Sequence, residues 1–524
     1  MRTRSPFAAA LGFALLAGAA FAGDLEDAQE LRAAGRFEEA VALFQKAVAA
    51  APSDGDAAAG LAEVLAGVGR YDDATAAADA GLVENPEHVG LLVARARTHL
   101  LIADRRNAEG ADPSLILSDS VAEADASIKA ALNADPANAD ARVLKAKTLR
   151  YQGGGDSAES KAMLEAVIAD FPDHFDANWD LGQYHLQQGG ALQKDAAAAG
   201  PHWAAAEAQF RRCAEIDPRS GAAHWECANA MAWQRKAASD VAAEYALAAQ
   251  RSPGNEKVLN QLYRWAGSDK KGRVRMFEKV SEARPREPLV AVFLAFAQKE
   301  AGDLDGGLRT LAAAEKTMPE SPYVPLNRGH LLLEKGDSDG AVKAYERAVE
   351  ASTQFVKAIF DDVNVKVFTT PAAAMTPAQR EKLWNALWRK WPDAVDTANN
   401  AGLWYRDAGK DFKKSSSWYL RAVEAAPESP QVLNDTALIF DQYLGEHELA
   451  EPYYRRAVDA GAAQGRDWRG GDVEDTGYRD AINNFGAMLA KQKRWRDLRE
   501  FCDEHVPEAH PARGGWRKLA EQGK

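Results

Sequence analysis

The sequence contains few cysteines: three in 524 residues, Cys213, Cys227 and Cys502. Three cysteines are too few for the disulfide framework that holds many small secreted domains together. The helical pattern places Cys213 and Cys227 on facing helices, so the two could form one disulfide. The alternative is that both are small buried hydrophobic residues.

An excess of basic residues is also missing. The chain has 64 Lys and Arg against 77 Asp and Glu, which gives a formal net charge of −13. A general nucleic-acid-binding protein presents a basic surface. We therefore expect no nucleic acid among the partners of this protein.

Motifs for metal binding, phosphate binding and catalysis are lacking as well. There is no H-E-x-x-H pair, and His447 stands beside Glu448 without a second histidine. His505 and His510 are too far apart to share one helical face. Gly153-Gly154-Gly155 follows a helical pattern instead of a strand, which argues against a phosphate-binding loop. We therefore expect a protein that is not an enzyme and that has no metal site and no cofactor.

Long apolar runs are confined to the N-terminus. Phe7 to Ala20 is apolar and follows two arginines, and Ala20-Phe21-Ala22 has the form of a signal-peptidase site. The pattern predicts a signal peptide over residues 1–22 and a mature chain that begins at Gly23. The alternative is an uncleaved anchor, but the run is shorter than the roughly 20 residues of a membrane span. We expect an exported protein, periplasmic or secreted, without a membrane span after signal removal.

Apolar residues recur at helical spacing through the rest of the chain. Residues 321–353 show this most clearly: an apolar stripe ends at Gly336-Asp337, and Ala341, Tyr345 and Ala348 then follow at i, i+4 and i+7. The segment reads as two amphipathic helices joined by a tight turn. One such pair cannot bury both apolar faces, so it needs neighbouring pairs.

A repeat supplies these neighbours. A small, a large and a small residue recur at offsets 0, 4 and 7 of the second helix of each pair, and a proline follows at offset 12. Successive prolines are separated by 34, 50, 36, 46, 35, 32, 34 and 108 residues, and 108 is three times 36. These prolines are Pro52, Pro86, Pro136, Pro172, Pro218, Pro253, Pro285, Pro319 and Pro427.

Most of these separations lie close to the roughly 34 residues of the tetratricopeptide repeat. Small residues also fall where the first helices of that family carry them, at Gly182, Gly329, Gly402 and Gly486. From about Leu25 to Pro511 the chain resembles a tetratricopeptide repeat protein with 12 or 13 helical pairs. The resemblance implies an all-α fold of helix-turn-helix repeats, stacked into a right-handed superhelical solenoid.

Departures from the period predict where the array is irregular. Asp104 to Leu117 and Gln187 to Pro201 are insertions, which we expect to bulge at turns between helices. Gly461 to Gly477, rich in Gly and Asp, is expected to form a long loop.

The domain boundaries follow from the same reasoning. Residues 354–376 look less helical and contain the β-leaning Val363–Phe368, so we expect a seam there. It would separate an N-terminal array over residues 23–353 from a C-terminal array over residues 377–511. The polar tail, residues 512–524, would cover the end of the second array.

One position of the first helix carries a distinctive set of residues. Counted from the third residue after the preceding proline, position 5 should face the concave surface of a solenoid, where ligands of such proteins usually lie. Asn side chains can bond both N–H and C=O of an extended peptide, and Asn ladders do so in some superhelical members of the family. The alternative is polar filling of a half-exposed position. Position 5 is occupied by Trp179, Trp225, Asn260, Val292, Leu326, Asn399, Asn434 and Asn483.

The two tryptophans in this column suggest a second function. Trp179 and Trp225 could stack on a sugar ring or hold an apolar peptide side chain, or they could simply pack between repeats. Trp384, Trp388 and Trp391 form one helical stripe that we expect to pack the irregular unit against its neighbours. The sequence thus favours a non-enzymatic scaffold that binds peptides or proteins through Asn260, Asn399, Asn434 and Asn483. The alternative is a glycan-associated scaffold of the cell envelope that binds polysaccharide.

The signal-peptide assignment makes a direct prediction. N-terminal sequencing of the exported protein should begin at Gly23, and an Ala20→Arg/Ala22→Arg variant should retain its leader because the peptidase needs small residues at both positions. Phe21→Leu, at the tolerant position between them, is the control and should be processed normally. An exported chain that still begins at Met1 would contradict the assignment.

Overall fold

The computed structural model describes residues 25–32, 36–152, 158–353 and 356–523. The predicted signal peptide and Gly153-Gly154-Gly155 lie outside these residues. The described residues are helical, with no strand among them. The chain divides into two compact units, unit 1 up to Gly267 and unit 2 from Ser268.

Unit 1 contains helices α1 to α14. They are α1 (25–32), α2 (Phe37–Ala50), α3 (Gly55–Gly67), α4 (Tyr71–Glu84), α5 (Val89–Ala108), α6 (Pro113–Ile116), α7 (Ala122–Ala134), α8 (Ala139–Gln152), α9 (Ala158–Asp170), α10 (Phe175–Ala191), α11 (Ala196–Ile216), α12 (Gly221–Trp233), α13 (Ala238–Arg251) and α14 (Glu256–Trp265). A π-helical turn, Leu117–Val121, leads into α7, and a 3₁₀ turn, Ala266–Ser268, follows α14.

Unit 2 contains the remaining helices. They are α15 (Lys270–Ala283), α16 (Pro288–Glu300), α17 (Leu304–Thr317), α18 (Tyr323–Lys335), α19 (Ser338–Ala351), α20 (Lys357–Thr369), α21 (Pro377–Lys390), α22 (Val395–Asp407), α23 (Phe412–Ala425), α24 (Pro430–Leu438), α25 (His447–Ala463), α26 (Val473–Lys491), α27 (Trp495–Glu504) and α28 (Arg513–Gln522). A π-helical turn, Ile439–Leu444, extends α24.

The proline spacing marks the ends of second helices, as predicted. α2 ends at Ala50, two residues before Pro52, and α17 ends at Thr317, two residues before Pro319. The ring of proline disfavours helical geometry at the residue before it and removes a backbone donor, so the helix stops. The same two-residue offset precedes every other proline of the register.

The turn inside each pair is also set by local chemistry. At the end of α18, Gly336 adopts φ = +87°, which a residue without Cβ reaches at no steric cost. Asp337 then caps α19, because its carboxylate accepts a hydrogen bond of 2.8 Å from the N–H of Gly340. The predicted break at Gly336-Asp337 is confirmed.

The two helices of a pair cross where glycine faces an aromatic ring. A Cβ on Gly329 of α18 would lie 2.5 Å from the Tyr345 ring of α19. A Cβ on Gly182 of α10 would lie 2.8 Å from the Phe210 ring of α11. These separations are shorter than van der Waals contact, so the crossing tolerates no side chain. The all-α repeat fold expected from the sequence is therefore confirmed.

The predicted tryptophan stripe packs the irregular part of unit 2. Trp384 of α21 is fully buried and its ring lies 5.8 Å from that of Trp404 of α22. Trp391 meets Phe360 of α20 edge to face, with centroids 5.8 Å apart. This prediction is confirmed.

Both insertions differ from the expected bulges. They lengthen the flanking helices: α5 continues to Ala108 and α11 begins at Ala196. The first insertion is built into unit 1, because Ile116 is 2% exposed and the carboxylate of Asp104 accepts a hydrogen bond of 2.6 Å from Lys147. An amphipathic insert can continue the apolar face of the helix before it, and the expectation of a bulge at the turn was therefore wrong for this insertion.

The segment expected to be less helical is mostly helix. Residues 357–369 form α20, so the β-leaning interpretation of Val363–Phe368 was wrong. Buried Arg380 donates hydrogen bonds to the carbonyl oxygens of Val367 and Thr370 at the C-terminus of α20. A cation there stabilises the negative end of the helix dipole, a tertiary contact that local propensity does not reveal. The division between the compact units falls after Gly267, and residues 356–376 belong to unit 2.

Two further segments are more ordered than expected. The connection between α25 and α26 is 464–472, shorter than the predicted loop 461–477. The polar tail forms α28, and a Cβ on Gly486 of α26 would overlap its Trp516 ring. The tail thus covers the last repeat, as a terminal cap of a solenoid does. Among the described residues, no helix combines the length and the apolar composition needed to cross a membrane.

The crossing geometry predicts opposite effects of alanine at two glycines of unit 2. Gly329→Ala should destabilise the protein by about 1–3 kcal/mol, because the new methyl group overlaps the immobile ring of Tyr345. Gly515→Ala, in α28 with nothing within 4 Å of its Cβ position, should stabilise by up to about 1 kcal/mol through helix propensity. Thermal unfolding followed by circular dichroism measures the stability of both variants. Equal shifts of the unfolding temperature in Gly329→Ala and Gly515→Ala would show that the crossing imposes no steric constraint.

Candidate functional site

The first helices of successive pairs lie side by side in each unit, and we call the surface they line the first-helix face. Position 5 of these helices is buried in three repeats, at Val292, Leu326 and Asn434, and half-buried or exposed in the other five. Positions 9, 12 and 13 instead line two open clefts, one in each unit. Because 3.6 residues make one turn, these positions follow position 5 along the same side of the helix.

The unit 1 cleft has a volume of about 900 Å³ and lies on α5, α8 and α10. Asp104 on one side accepts hydrogen bonds from Lys147 and from the hydroxyl of Tyr151. Burial, with the Asp104 carboxylate second, raises the pKa of Tyr151. On the other side Arg150 lies 3.5 Å from Asp180, and burial raises the pKa of Asp180. Most charges of this cleft are therefore already paired within the protein.

Ion pairs also tie three first helices of unit 1 together. The guanidinium of Arg97 on α5 lies 3.0 Å from Asp140 on α8 and 2.5 Å from Asp176 on α10. One arginine thus connects a helix with its neighbour and with the helix beyond it. This network fixes the spacing of the helices that carry the unit 1 cleft.

The unit 2 cleft has a volume of about 720 Å³ and lies on α16, α18 and α20. Its lining mixes apolar and charged side chains: Phe296, Lys299, His330, Leu333, Glu334, Tyr345, Asp362, Lys366, Thr369, Thr370, Pro371 and Ala374.

One ion pair and one histidine–carboxylate contact cross the unit 2 cleft, and its floor is a tyrosine. Lys299 lies 2.9 Å from Glu334, and His330 lies 3.4 Å from Asp362. The hydrogen bond from His330 lowers the pKa of Asp362. Tyr345 is 0% exposed, and its hydroxyl has no hydrogen-bond partner among the described residues. An unpaired buried hydroxyl is costly, so this group is suited to a ligand.

The predicted asparagine ladder is interrupted in unit 2. Asn434 is 2% exposed; its amide donates to Asp435 at 3.3 Å and its oxygen accepts from Asn484 at 3.0 Å. It therefore serves contacts between α24 and α26 and is not open to a peptide, which corrects its predicted role. The physical reason is that position 5 lies between adjacent first helices.

The other three asparagines are placed differently. Asn399 and Asn483 are half-buried, and the side-chain oxygen of Asn399 lacks a partner among the described residues. Asn260 is exposed, belongs to unit 1 and donates to Glu256 at 3.4 Å. Their role in peptide binding stays a prediction, without the continuous ladder.

The two predicted sugar-contacting tryptophans are packed against other rings. Trp179 lines the unit 1 cleft but stacks on Phe175 and meets Phe210 edge to face, with centroids 6.1 and 5.2 Å apart. Trp225 meets Tyr245 edge to face at 5.3 Å. This geometry favours the packing interpretation for both.

The possible disulfide is not formed. Cys213 and Cys227 are both buried free thiols, and burial raises the pKa of each to about 12. Cys213 donates to the carbonyl oxygen of Phe175 at 3.7 Å. The alternative of two small buried residues fits the structure.

Sequence reasoning missed the residues that line the clefts. Lys147, Gln183, Phe296 and His330 all occupy position 9, one turn after the column that was chosen. The residues four and seven positions after position 5 lie on the same helical face, so inspecting them would have identified the cleft lining. Tyr345 comes from a second helix, and no first-helix pattern could indicate it.

The Asp435 carboxylate makes the stability of unit 2 depend on pH. Burial raises its pKa to about 6, while Gln431 and Arg406 oppose the shift. In an unfolded chain an aspartate has a pKa of about 3.9. The folded state therefore binds the proton more tightly, and stability falls as pH rises from about 4 to about 6.

Replacing Asp435 should reveal this effect. Asp435→Asn should stabilise the protein by about 2 kcal/mol at pH 7.5 and by little at pH 4, because the amide cannot ionise. Thermal unfolding at both pH values measures the difference, with the exposed Asp393→Asn as control. A gain of the same size at both pH values would show that the carboxylate does not titrate in this range.

Comparisons with known proteins agree with this architecture. Models of the tetratricopeptide repeat match residues 31–96, 145–200 and 294–354. No curated protein matches the chain at a significant level.

Solved structures with related folds are distant. A thermophilic tetratricopeptide repeat protein of Thermus thermophilus is 19% identical over 40% of this chain and 99% of its own, with a TM-score of 0.34. Yeast Tom70 is 15% identical over 93% of this chain and 99% of its own, with a TM-score of 0.25. The human IFIT1 dimer with m7Gppp-AAAA is 14% identical over 83% of this chain and 80% of its own, with a TM-score of 0.30.

The family assignment therefore rests on the matched repeat models and on the helical pairs themselves. Glycine–aromatic crossings and proline-ended second helices recur in both units. This chain is a tetratricopeptide repeat protein.

Proposed function

We propose that this protein is a non-enzymatic scaffold that binds an extended peptide segment of a partner protein in the unit 2 cleft. Tetratricopeptide repeat proteins generally act as protein-interaction scaffolds, which supports the class of function. The position of the binding site within this chain rests on the geometry of that cleft.

The single observation that carries the proposal is the unpaired hydroxyl of Tyr345. At the corresponding position of unit 1, the Tyr245 hydroxyl donates to the Asn229 side chain at 2.7 Å. In unit 2 the residue at the equivalent place on the first helix is His330, which gives Tyr345 no hydrogen bond. A peptide carbonyl in the cleft would accept the hydrogen bond that Asn229 accepts in unit 1.

The remaining lining suits an amphipathic peptide. Phe296, Leu333 and Pro371 offer apolar contact, while Lys366 makes no close ion pair among the described residues, although its charge helps to lower the pKa of Asp362. Lys299 and His330 are occupied by Glu334 and Asp362. Lys366 is thus the cation left for an acidic or polar group of the bound segment.

The site of action in the cell is part of the proposal. The apolar N-terminal run and its Ala-x-Ala site support export, and hence work in the cell envelope or outside the cell. Three buried thiols without a disulfide are compatible with either compartment.

The test begins with a random linear peptide library selected against the full wild-type chain. Affinity of the selected peptide, measured by calorimetry, should fall about five- to tenfold in Tyr345→Phe, because one hydrogen bond is worth about 1 kcal/mol. Lys366→Ala should lower the affinity for acidic peptides more than the affinity for other peptides. Ala374→Trp, which fills the mouth of the cleft, should abolish binding.

Tyr245→Phe is the matched control, because it deletes the same hydroxyl at the equivalent position of unit 1. It should lower the unfolding temperature by breaking the bond to Asn229, and it should leave peptide affinity unchanged. Selected peptides that bind Tyr345→Phe and Ala374→Trp as tightly as wild type would place the binding site elsewhere.

A further inference from the structure

A second candidate site lies in unit 1, and it shares no lining residue with the unit 1 cleft. Trp233, the last residue of α12, is 52% exposed, the highest value for any aromatic side chain in the described part of the chain. A single exposed apolar side chain is ordinary on a protein surface, so the case for a site here depends on what surrounds the indole. Trp233 was outside the tryptophan column that the repeat singled out.

The exposed indole is held rigidly from one side. Its ring stacks on Trp203 of α11, with centroids 5.5 Å apart and planes 20° apart. Trp203 is itself buried, and a Cβ on Gly189 of α10 would overlap its Nε1. Three helices thus fix one face of Trp233 and leave the other side of the indole to solvent.

A cavity of about 640 Å³ adjoins this indole. Its walls include Ala196 and Gly200 of the second insertion, and the Cβ position of Gly200 has nothing within 4 Å. Gln193 and Arg235 supply an amide and a guanidinium group around it, whereas the amide nitrogen of Gln234 already donates to Glu207 at 2.7 Å and to the carbonyl oxygen of Trp203 at 3.2 Å. The insertion therefore creates space beside the aromatic surface.

Some charged side chains at the cavity are paired within the protein and one is not. Lys236 lies 2.6 Å from Glu207, and Glu207 also pairs with Arg211 at 2.9 Å. The guanidinium of Arg235 makes no ion pair or hydrogen bond among the described residues, and the residue is exposed. Arg235 is therefore the cation available to an anionic group of a ligand.

We propose that this cavity binds a pyranose unit of a glycan, with the apolar face of the sugar ring on Trp233 and its polar groups on Gln193 and Arg235. The C–H face of a pyranose matches a flat indole, and its hydroxyls match amides. An apolar peptide anchor would need aliphatic walls, and beside the indoles the walls here are Ala and Gly. The unpaired Arg235 favours a sugar that carries a carboxylate.

Calorimetry of the full chain with defined oligosaccharides tests this proposal. Hexagalacturonate should bind more tightly than cellohexaose or chitohexaose, and Arg235→Gln should remove most of that difference. Trp233→Ala should weaken every sugar that binds by about tenfold, since stacking on one aromatic ring contributes on the order of 1 kcal/mol beyond area. Trp233→Phe should retain part of the affinity.

Phe171→Ala is the matched control, because this aromatic residue of unit 1 is also exposed, at 44%. The sugar affinities of Phe171→Ala and Trp179→Ala should equal that of the wild type. Unfolding temperatures verify that each variant is folded. The proposal is overturned if none of the three sugars binds, if Trp233→Ala binds as wild type does, or if Trp179→Ala alone loses binding. Binding of octaproline at this site, with no sugar bound, would overturn it in favour of a peptide.

Discussion

The close crossing of two helices at a glycine and an aromatic ring is the contact on which this fold depends. At Gly329 and Tyr345 a single added methyl group would overlap the ring. Dispersion and burial at such a crossing hold one pair together, and neighbouring pairs bury the faces that remain. Because Tyr345 passes Gly329 to fill this space, its hydroxyl lies buried beneath the first-helix face. The packing constraint therefore also builds the floor of the unit 2 cleft.

Charge pairing then decides which parts of that face are open to a ligand. In unit 1 the carboxylates of Asp104 and Asp180 are satisfied by Lys147 and Arg150. In unit 2 the Tyr345 hydroxyl is left without a hydrogen-bond partner among the described residues, and Lys366 acts on Asp362 only through its charge. Two clefts of similar volume thus differ in the polar groups that they present to a ligand. A buried group that lacks a partner gains more from a ligand than one already paired.

Departures from the repeat are where this chain acquires features of its own. Asp104–Leu117 extends α5 and supplies one wall of the unit 1 cleft, and Gln187–Pro201 shapes the cavity beside Trp233. Both inserts continue helices, so their new surfaces are carried on rigid elements. A rigid array of repeats can accept such additions because each pair contacts mainly its neighbours.

The sequence by itself determined the fold class, the pairing of helices and the ends of second helices, because periodicity and proline chemistry act within a few residues. It also marked Gly329 as a small position of the first helix and Tyr345 as the large position of the second, while their contact came from the structure. It did not determine that 357–369 is helical, since α20 is completed by the distant Arg380. Nor did it show that Asn434 is buried while Asn399 is half-exposed, although both occupy position 5. That difference, like the buried, unpaired hydroxyl of Tyr345 and the exposed face of Trp233, was decided by the tertiary structure, because exposure depends on which helix lies alongside.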